Sequence, residues 1–194
     1  MSIKINYSNK VSDKSLTNIV LFTEEKFNIN GLKKHLSSPE LSYIGDLLKT
    51  CDLKKSLLVF EVSSKKKIIL IPIKKNLESS DVENLGAEFF SYINYEKKGE
   101  FTINADSINA KPGRDFIGRF LHGLKLKSYE FNIYKSKKEK KLFLINITGK
   151  KSKLTLKNEL KFKSLEDGIF FARDLVSEPG NILHPDEYAK RLNS

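Results

Sequence analysis

The chain has no tryptophan and, in 194 residues, only one cysteine, one methionine, four arginines and three histidines. A lone cysteine, Cys51, excludes an internal disulfide, so the fold must rest on its apolar core. Residues 1–10 carry lysines among alternating apolar positions, with no long apolar run behind them. That pattern argues against a signal peptide or a membrane span, and the expected compartment is the cytoplasm. The histidines, His35, His122 and His184, lie in separate segments without metal-ligand spacing. None is expected to hold a metal, and His122, on the polar side of its helix, reads as a solvated residue. Cys51 precedes Asp52 and has no marked histidine partner, so it reads as a half-buried thiol and not as a nucleophile.

What is present suffices for a globular core, since 39% of the residues are hydrophobic, and the length suits one domain, with an appendage at most. Ile3 and Ile5 alternate with polar residues, and residues 18–22 form a short apolar run, so both segments read as strands. A helix is expected from Ser38-Pro39-Glu40 through Thr50, with Leu41, Ile44, Leu47 and Leu48 on one face. Residues 57–62 and 68–73 are apolar β-branched runs joined by Ser63-Ser64-Lys65-Lys66, the pattern of neighbouring strands with a tight polar connection. Ser80-Asp81-Val82-Glu83 reads as a capping box opening a helix to about Tyr95. A short strand at 101–103, a helix at 115–126 and a strand at 141–148 complete the series. Strands alternating with helices predict an α/β sandwich with a central mixed β-sheet.

The last thirty residues hold the strongest local signals. Ser164 can cap a helix whose apolar face includes Leu165, Ile169, Phe170, Ala172, Leu175 and Val176. Glu178-Pro179-Gly180 ends it, because the residue before proline is driven out of the helical region and glycine tolerates the turn. His184-Pro185-Asp186-Glu187 opens a second helix, with proline in its first turn and acids at the positive end of its dipole. Barely two turns follow before Ser194, and so short a helix needs a packing partner.

Phe171-Ala172-Arg173-Asp174-Leu175-Val176-Ser177-Glu178-Pro179-Gly180-Asn181-Ile182-Leu183-His184-Pro185, with Tyr188-Ala189, resembles the segment entering the catalytic domain of the cytosol (leucyl) aminopeptidase family. A second block agrees with it: Gly123-Leu124, then Ser128-Tyr129-Glu130-Phe131-Asn132-Ile133-Tyr134-Lys135-Ser136-Lys137-Lys138, is similar to the signature near the end of that family's amino-terminal domain. Ser177 stands where the family usually has asparagine, and His184 where it usually has threonine or another capping residue. The resemblance implies a macro-domain-like three-layer sandwich, its central sheet flanked by helices. It implies a partition into a non-catalytic domain over residues 1–163 and, over 164–194, a junction helix with the start of the catalytic metallopeptidase domain. It also implies that the two divalent ions, zinc or manganese, belong to that catalytic domain, as do the peptide substrates. The expected partners are the chain's own catalytic domain and, in the assembled enzyme, a homo-hexamer. A two-metal peptidase needs several carboxylates converging on its ions, and the family's Asn-Thr-Asp-Ala-Glu-Gly-Arg motif does not occur here. No catalytic, cofactor-binding or metal-ligating residue is therefore assigned, and the segment alone is expected to be inactive.

Charge supplies a rival reading. The net charge is +11, and residues 125–163 hold thirteen lysines against three glutamates. Lys135, Lys137, Lys138, Lys140, Lys141, Lys150, Lys151 and Lys153 form a basic stretch that can attract phosphate backbones, with Tyr129, Phe131 and Tyr134 available for stacking on bases. Against DNA as a partner, lysine outnumbers arginine 31 to 4, so the planar fork that reads guanine is scarce. Two turns, Lys111-Pro112-Gly113-Arg114 and Thr148-Gly149-Lys150, are the only candidates for an anion cradle of the kind that binds ADP-ribose.

Overall fold

The computed structural model describes residues 2–8, 18–96, 98–109, 115–136, 141–152 and 156–193. The Lys111-Pro112-Gly113-Arg114 turn and Lys137, Lys138, Lys140 and Lys153 lie outside the described residues. In chain order the elements are β1 (Ser2–Ser8), β2 (Asn18–Glu24), α1 (Ser38–Leu48), β3 (Leu58–Ser63), β4 (Lys66–Ile73), α2 (Ser79–Ile93), β5 (Lys98–Asn104), α3 (Phe116–Lys127), β6 (Leu142–Thr148), α4 (Leu156–Ser177) and α5 (Pro185–Leu192), with short 3-10 turns between some of them. The strands form one mixed sheet in the order β1-β6-β5-β2-β4-β3, all parallel except β3, which runs antiparallel to β4 at one edge. The expected α/β sandwich is present, with a six-stranded central sheet.

Side-chain alternation builds two cores on the two faces of the sheet. Val20, Phe22, Ile69, Ile71, Phe101, Ile103, Phe143, Ile145 and Ile147 point to one face, where α2 and α3 cover them. Ile19, Leu21, Phe60, Ile68 and Leu70 point to the other, where Ile44 of α1 and Phe27, Leu32 and Leu36 of the preceding turns close the layer. Strands β2 and β4 are thus buried on both faces, which is why they read as unbroken apolar runs. Under β1, β6 and β5 the second face is instead polar: Asn6 Nδ2 donates to Asn146 Oδ1 at 3.2 Å, and Asn146 Nδ2 donates to Glu100 Oε1 at 2.8 Å.

Helix α1 starts as its sequence demands. The Ser37 N–H donates to Glu40 Oε2 at 2.9 Å in a capping box, and Pro39 occupies the first turn. The cap of α2 is two residues earlier than Ser80: Glu78 takes the N-cap and its N–H donates to Asp81 Oδ2 at 2.9 Å. Helix α4 departs further from expectation. It begins at Leu156, so Ser164 lies in its middle and caps nothing. The earlier turns hold Lys157, Glu159, Leu160 and Lys161, whose exposure hides the helical period; among the described side chains of α4, Phe162 and Glu166 are the buried ones.

Helices α2 and α3 approach backbone to backbone. A Cβ placed on Gly86 would lie 1.9 Å from the Phe120 carbonyl oxygen, and one on Gly123 would lie 1.9 Å from the Glu83 carbonyl oxygen. The Gly123-Leu124 pair therefore has a packing reason. Glycine admits the crossing, while Leu124 is fully buried beneath it.

Candidate functional site: a clasp at the end of the domain

Residues 128–136 leave α3 and run along the far end of α4. Ser128 closes α3, its N–H donating to the Leu124 and Lys125 carbonyls at 3.1 and 3.0 Å and its hydroxyl to Lys125 O at 2.7 Å. Arg173, reaching from α4, donates from Nη1 to Leu126 O at 2.6 Å. A cation on the last carbonyls of α3 also suits the negative end of the helix dipole. The two helices are thereby tied at one point.

Two tyrosines then hold the carboxylates at the end of α4. Tyr129 Oη donates to Asp174 Oδ1 at 2.6 Å, while its ring packs on Phe170 at 5.4 Å between centroids and lies under the Arg173 guanidinium at 5.4 Å. Tyr134, its ring edge-on to Phe131 at 5.8 Å, donates its hydroxyl to the Glu178 carboxylate. That carboxylate also accepts from Arg191 Nη1 of α5 at 3.0 Å, and Arg191 Nε bonds Glu187 Oε1 at 3.3 Å. The Glu178 side chain is 3% exposed in this nest, against 30% for Arg191. Tyrosine, glutamate and arginine thus lock the Pro179-Gly180 turn between the domain and α5.

The electrostatics follow the contacts. The Tyr134 hydroxyl and then the Arg191 guanidinium hold the Glu178 carboxyl below its ordinary value. The hydrogen bond to Glu178, followed by desolvation, raises the Tyr134 phenol, and Arg191 is raised chiefly by Glu178. A carboxyl lowered on folding stabilises the folded clasp above its unfolded pKa, and this contribution is lost as pH falls through the lower folded value. The carbonyl-detected NMR titration of Glu178 should accordingly have its midpoint below the ordinary glutamate value of about 4.3. Tyr134→Phe should move that midpoint upward and leave global melting nearly unchanged, since the bond sits at the rim. A midpoint identical in both proteins would deny the contact.

Of the four described lysines in the basic stretch, Lys135, Lys150 and Lys151 are exposed and Lys141 is half-buried. Lys141 Nζ donates to Asn94 O at 2.8 Å and to its Oδ1 at 3.1 Å, and Lys151 Nζ donates to Ile108 O. The Thr148-Gly149-Lys150 turn already encloses an anion of its own: Asp106 Oδ1 accepts from the Lys151 N–H at 3.1 Å, and its carboxyl oxygens stand 2.8 and 2.9 Å from where a Gly149 Cβ would be. Gly149 has φ +103°, a left-handed conformation that suits glycine. His122 is not solvated. It is 4% exposed, faces the buried Glu166 and packs on Phe162 at 5.4 Å. His184 takes the N-cap position of α5 without a side-chain capping bond. Among the described residues no group of three or more His, Cys, Asp or Glu side chains is gathered to hold a metal ion.

The clasp joins the two sequence blocks, 128–138 and 171–185, that carry the family resemblance. Residues 42–138, half of the chain, match the family model described as "Cytosol aminopeptidase family, N-terminal domain". The chain belongs to the cytosol aminopeptidase family. Among curated relatives, the "Probable cytosol aminopeptidase" of Xanthobacter autotrophicus is 30% identical over 131 residues, which is 64% of this chain and 26% of that protein. One of the same description from Nitrobacter winogradskyi is 29% identical over 134 residues, 66% of this chain and 27% of that protein. The chain thus spans about a quarter of the length of these relatives. In fold it is similar to a tomato leucine aminopeptidase mutant, with a TM-score of 0.65 and 16% identity over 99% of this chain and 42% of that one. The Coxiella burnetii cytosol aminopeptidase gives 0.60 and 16% over 97% of this chain and 36% of that chain. This chain is the amino-terminal domain of a family member. No described helix is long and apolar enough to cross a membrane.

Proposed function

We propose that this domain serves a metal-dependent aminopeptidase that removes amino-terminal residues, leucine among them, from peptides, and that it does so without catalytic groups of its own. Residues 1–163 form the non-catalytic domain, and 164–194 form the junction and the opening of the catalytic domain. Because α4 runs unbroken from Leu156 to Ser177, the junction starts inside a helix that the domain already anchors. Two zinc or manganese ions would be held by the catalytic domain, where they polarise the scissile carbonyl and activate water. In this reading the domain steadies a cytoplasmic homo-hexamer and shapes access to its sites.

The clasp is the observation that carries the proposal. Tyr129, Tyr134, Arg173, Glu178 and Arg191 do no chemistry on a substrate, but they set the direction in which the chain leaves the domain. The exposed apolar side chains beyond and around the turn, Val176 at 87% and Leu192 at 55%, support the same reading, since they are available to a neighbour. Reading the gene beyond codon 194 tests it: an open frame encoding a glycine-rich, carboxylate-bearing metal motif is expected, and an immediate stop codon would oppose it.

A further inference from the structure

A cleft of about 300 Å³ opens between β1, α3 and α4, away from the clasp. Ile3 and Ile5 of β1, Leu121 of α3 and Phe162 of α4 make its floor apolar. The walls carry two carboxylates, Glu159 and Glu166, and two ammonium groups, Lys125 and Lys163. Positions 159, 162, 163 and 166 share one face of α4 by helical spacing. The charged lining is balanced, and it surrounds an apolar base.

Glu166 is the anchor of this arrangement. It is only 7% exposed, and its Oε2 accepts from Lys125 Nζ at 2.8 Å. Its Oε1 stands 3.5 Å from His122 Nδ1, which has no hydrogen-bond partner among the described residues. Buried polar groups are nearly always paired, so the half-satisfied carboxylate has room for one more donor from the cleft. At the β1 side, Tyr7 is pushed up to about 12, by desolvation first and then by the charges of Glu159 and Glu166. The potential there favours a cation, and the phenol stays protonated as a donor.

We propose that this cleft binds a free aliphatic α-amino acid, with its ammonium on Glu166 and Glu159, its carboxylate on Lys163 and its side chain on the Ile3–Ile5–Leu121–Phe162 floor. A simple anion would meet two carboxylates, and a purely apolar molecule would leave the Glu159 and Lys163 charges at the mouth unanswered, Lys125 being paired with Glu166. A zwitterion with a short apolar side chain matches both signs and the floor. The volume is at the lower limit for ligand pockets, which suits a ligand as small as an amino acid. The assignment stands on this cleft alone and does not depend on the peptidase reading.

Methyl-labelled NMR of the purified chain tests it with four probes. L-leucine should move the methyl signals of Ile3, Ile5 and Leu121 with a Kd on the order of 1 mM or below. Isopentylamine, which lacks the carboxylate, 4-methylpentanoate, which lacks the ammonium, and glycine, which lacks the side chain, should each bind about tenfold more weakly or not at all. Glu159→Gln and Lys163→Met, at exposed positions on α4, should each weaken leucine several-fold without unfolding the domain. They keep the test valid even where Glu166→Gln unfolds it. No methyl shift with leucine on the order of 10 mM, binding of the amine or of the acid as tight as that of leucine, or undiminished binding in both surface variants would overturn the proposal.

Discussion

Gly123→Ala is expected to destabilise the domain by at least about 2 kcal/mol, as overpacking against an unyielding partner does. The atoms its Cβ would meet are all backbone: Glu83 O at 1.9 Å, C at 2.5 Å and Cα at 2.6 Å. Gly86 faces the same restriction from the other helix, with Phe120 O at 1.9 Å and Leu124 N at 3.0 Å. No rotamer change relieves such clashes, so α2 and α3 must separate, opening gaps in the aromatic layer beneath them. Alanine gains about 1 kcal/mol over glycine in helix propensity, which is too little to offset this. Gly168 provides the internal control. It lies within α4 with nothing within 4 Å of its virtual Cβ, so Gly168→Ala should stabilise the protein by up to about 1 kcal/mol. Urea melts of the three variants should show opposite signs for one chemical change. Gly86→Ala and Gly123→Ala as stable as the parent would refute the close crossing.

Phe120→Ala should be more damaging still, costing about 3–5 kcal/mol. The ring is fully buried at the centre of the larger core. It stands edge-on to Phe22 at 5.4 Å and 90° and packs on Phe89 at 5.8 Å, while Phe22 is also edge-on to Phe116 at 5.1 Å. Removing it leaves a void beside the Phe22 and Phe89 rings and breaks two pairs worth about 0.5–1.5 kcal/mol each beyond their area. Domains of this size are stable by about 5–15 kcal/mol, so the loss is a large share of the total. A urea midpoint lowered with an unchanged slope is expected; a loss under about 1 kcal/mol, well short of the large-to-small range, would mean that the aromatic layer is not packed as described.

Much of this architecture was legible in the chain. β-Branched runs at 18–22, 57–62, 68–73 and 141–148 became strands because burial on one or both sheet faces rewards them. Helices α1, α2 and α3 followed their apolar periods. The start of α4 was illegible because its buried face presents Glu166 beside Phe162, and a charged residue at a core position leaves no hydrophobic period to read. His122 was misread for the same reason: it occupies an inward position of α3 opposite Glu166. The α2 cap departs from the sequence expectation because Glu78 is an unusual N-cap, while Ser80, two residues further along, carries the stronger signal. The clasp needs the fold, since Tyr129 and Asp174 are 45 positions apart and only the packing of α4 on α3 brings them together. The resemblance blocks marked where it would be, and the contacts explain why those residue types occur there.

The proposed role is to connect and position a peptidase without performing the cleavage. The direct measurement is release of nitroaniline from leucine p-nitroanilide by the purified 194-residue chain supplied with manganese or zinc. No release above that of the metal alone is expected. Release proportional to chain concentration, persisting through repurification and stopped by a metal chelator, would contradict the account.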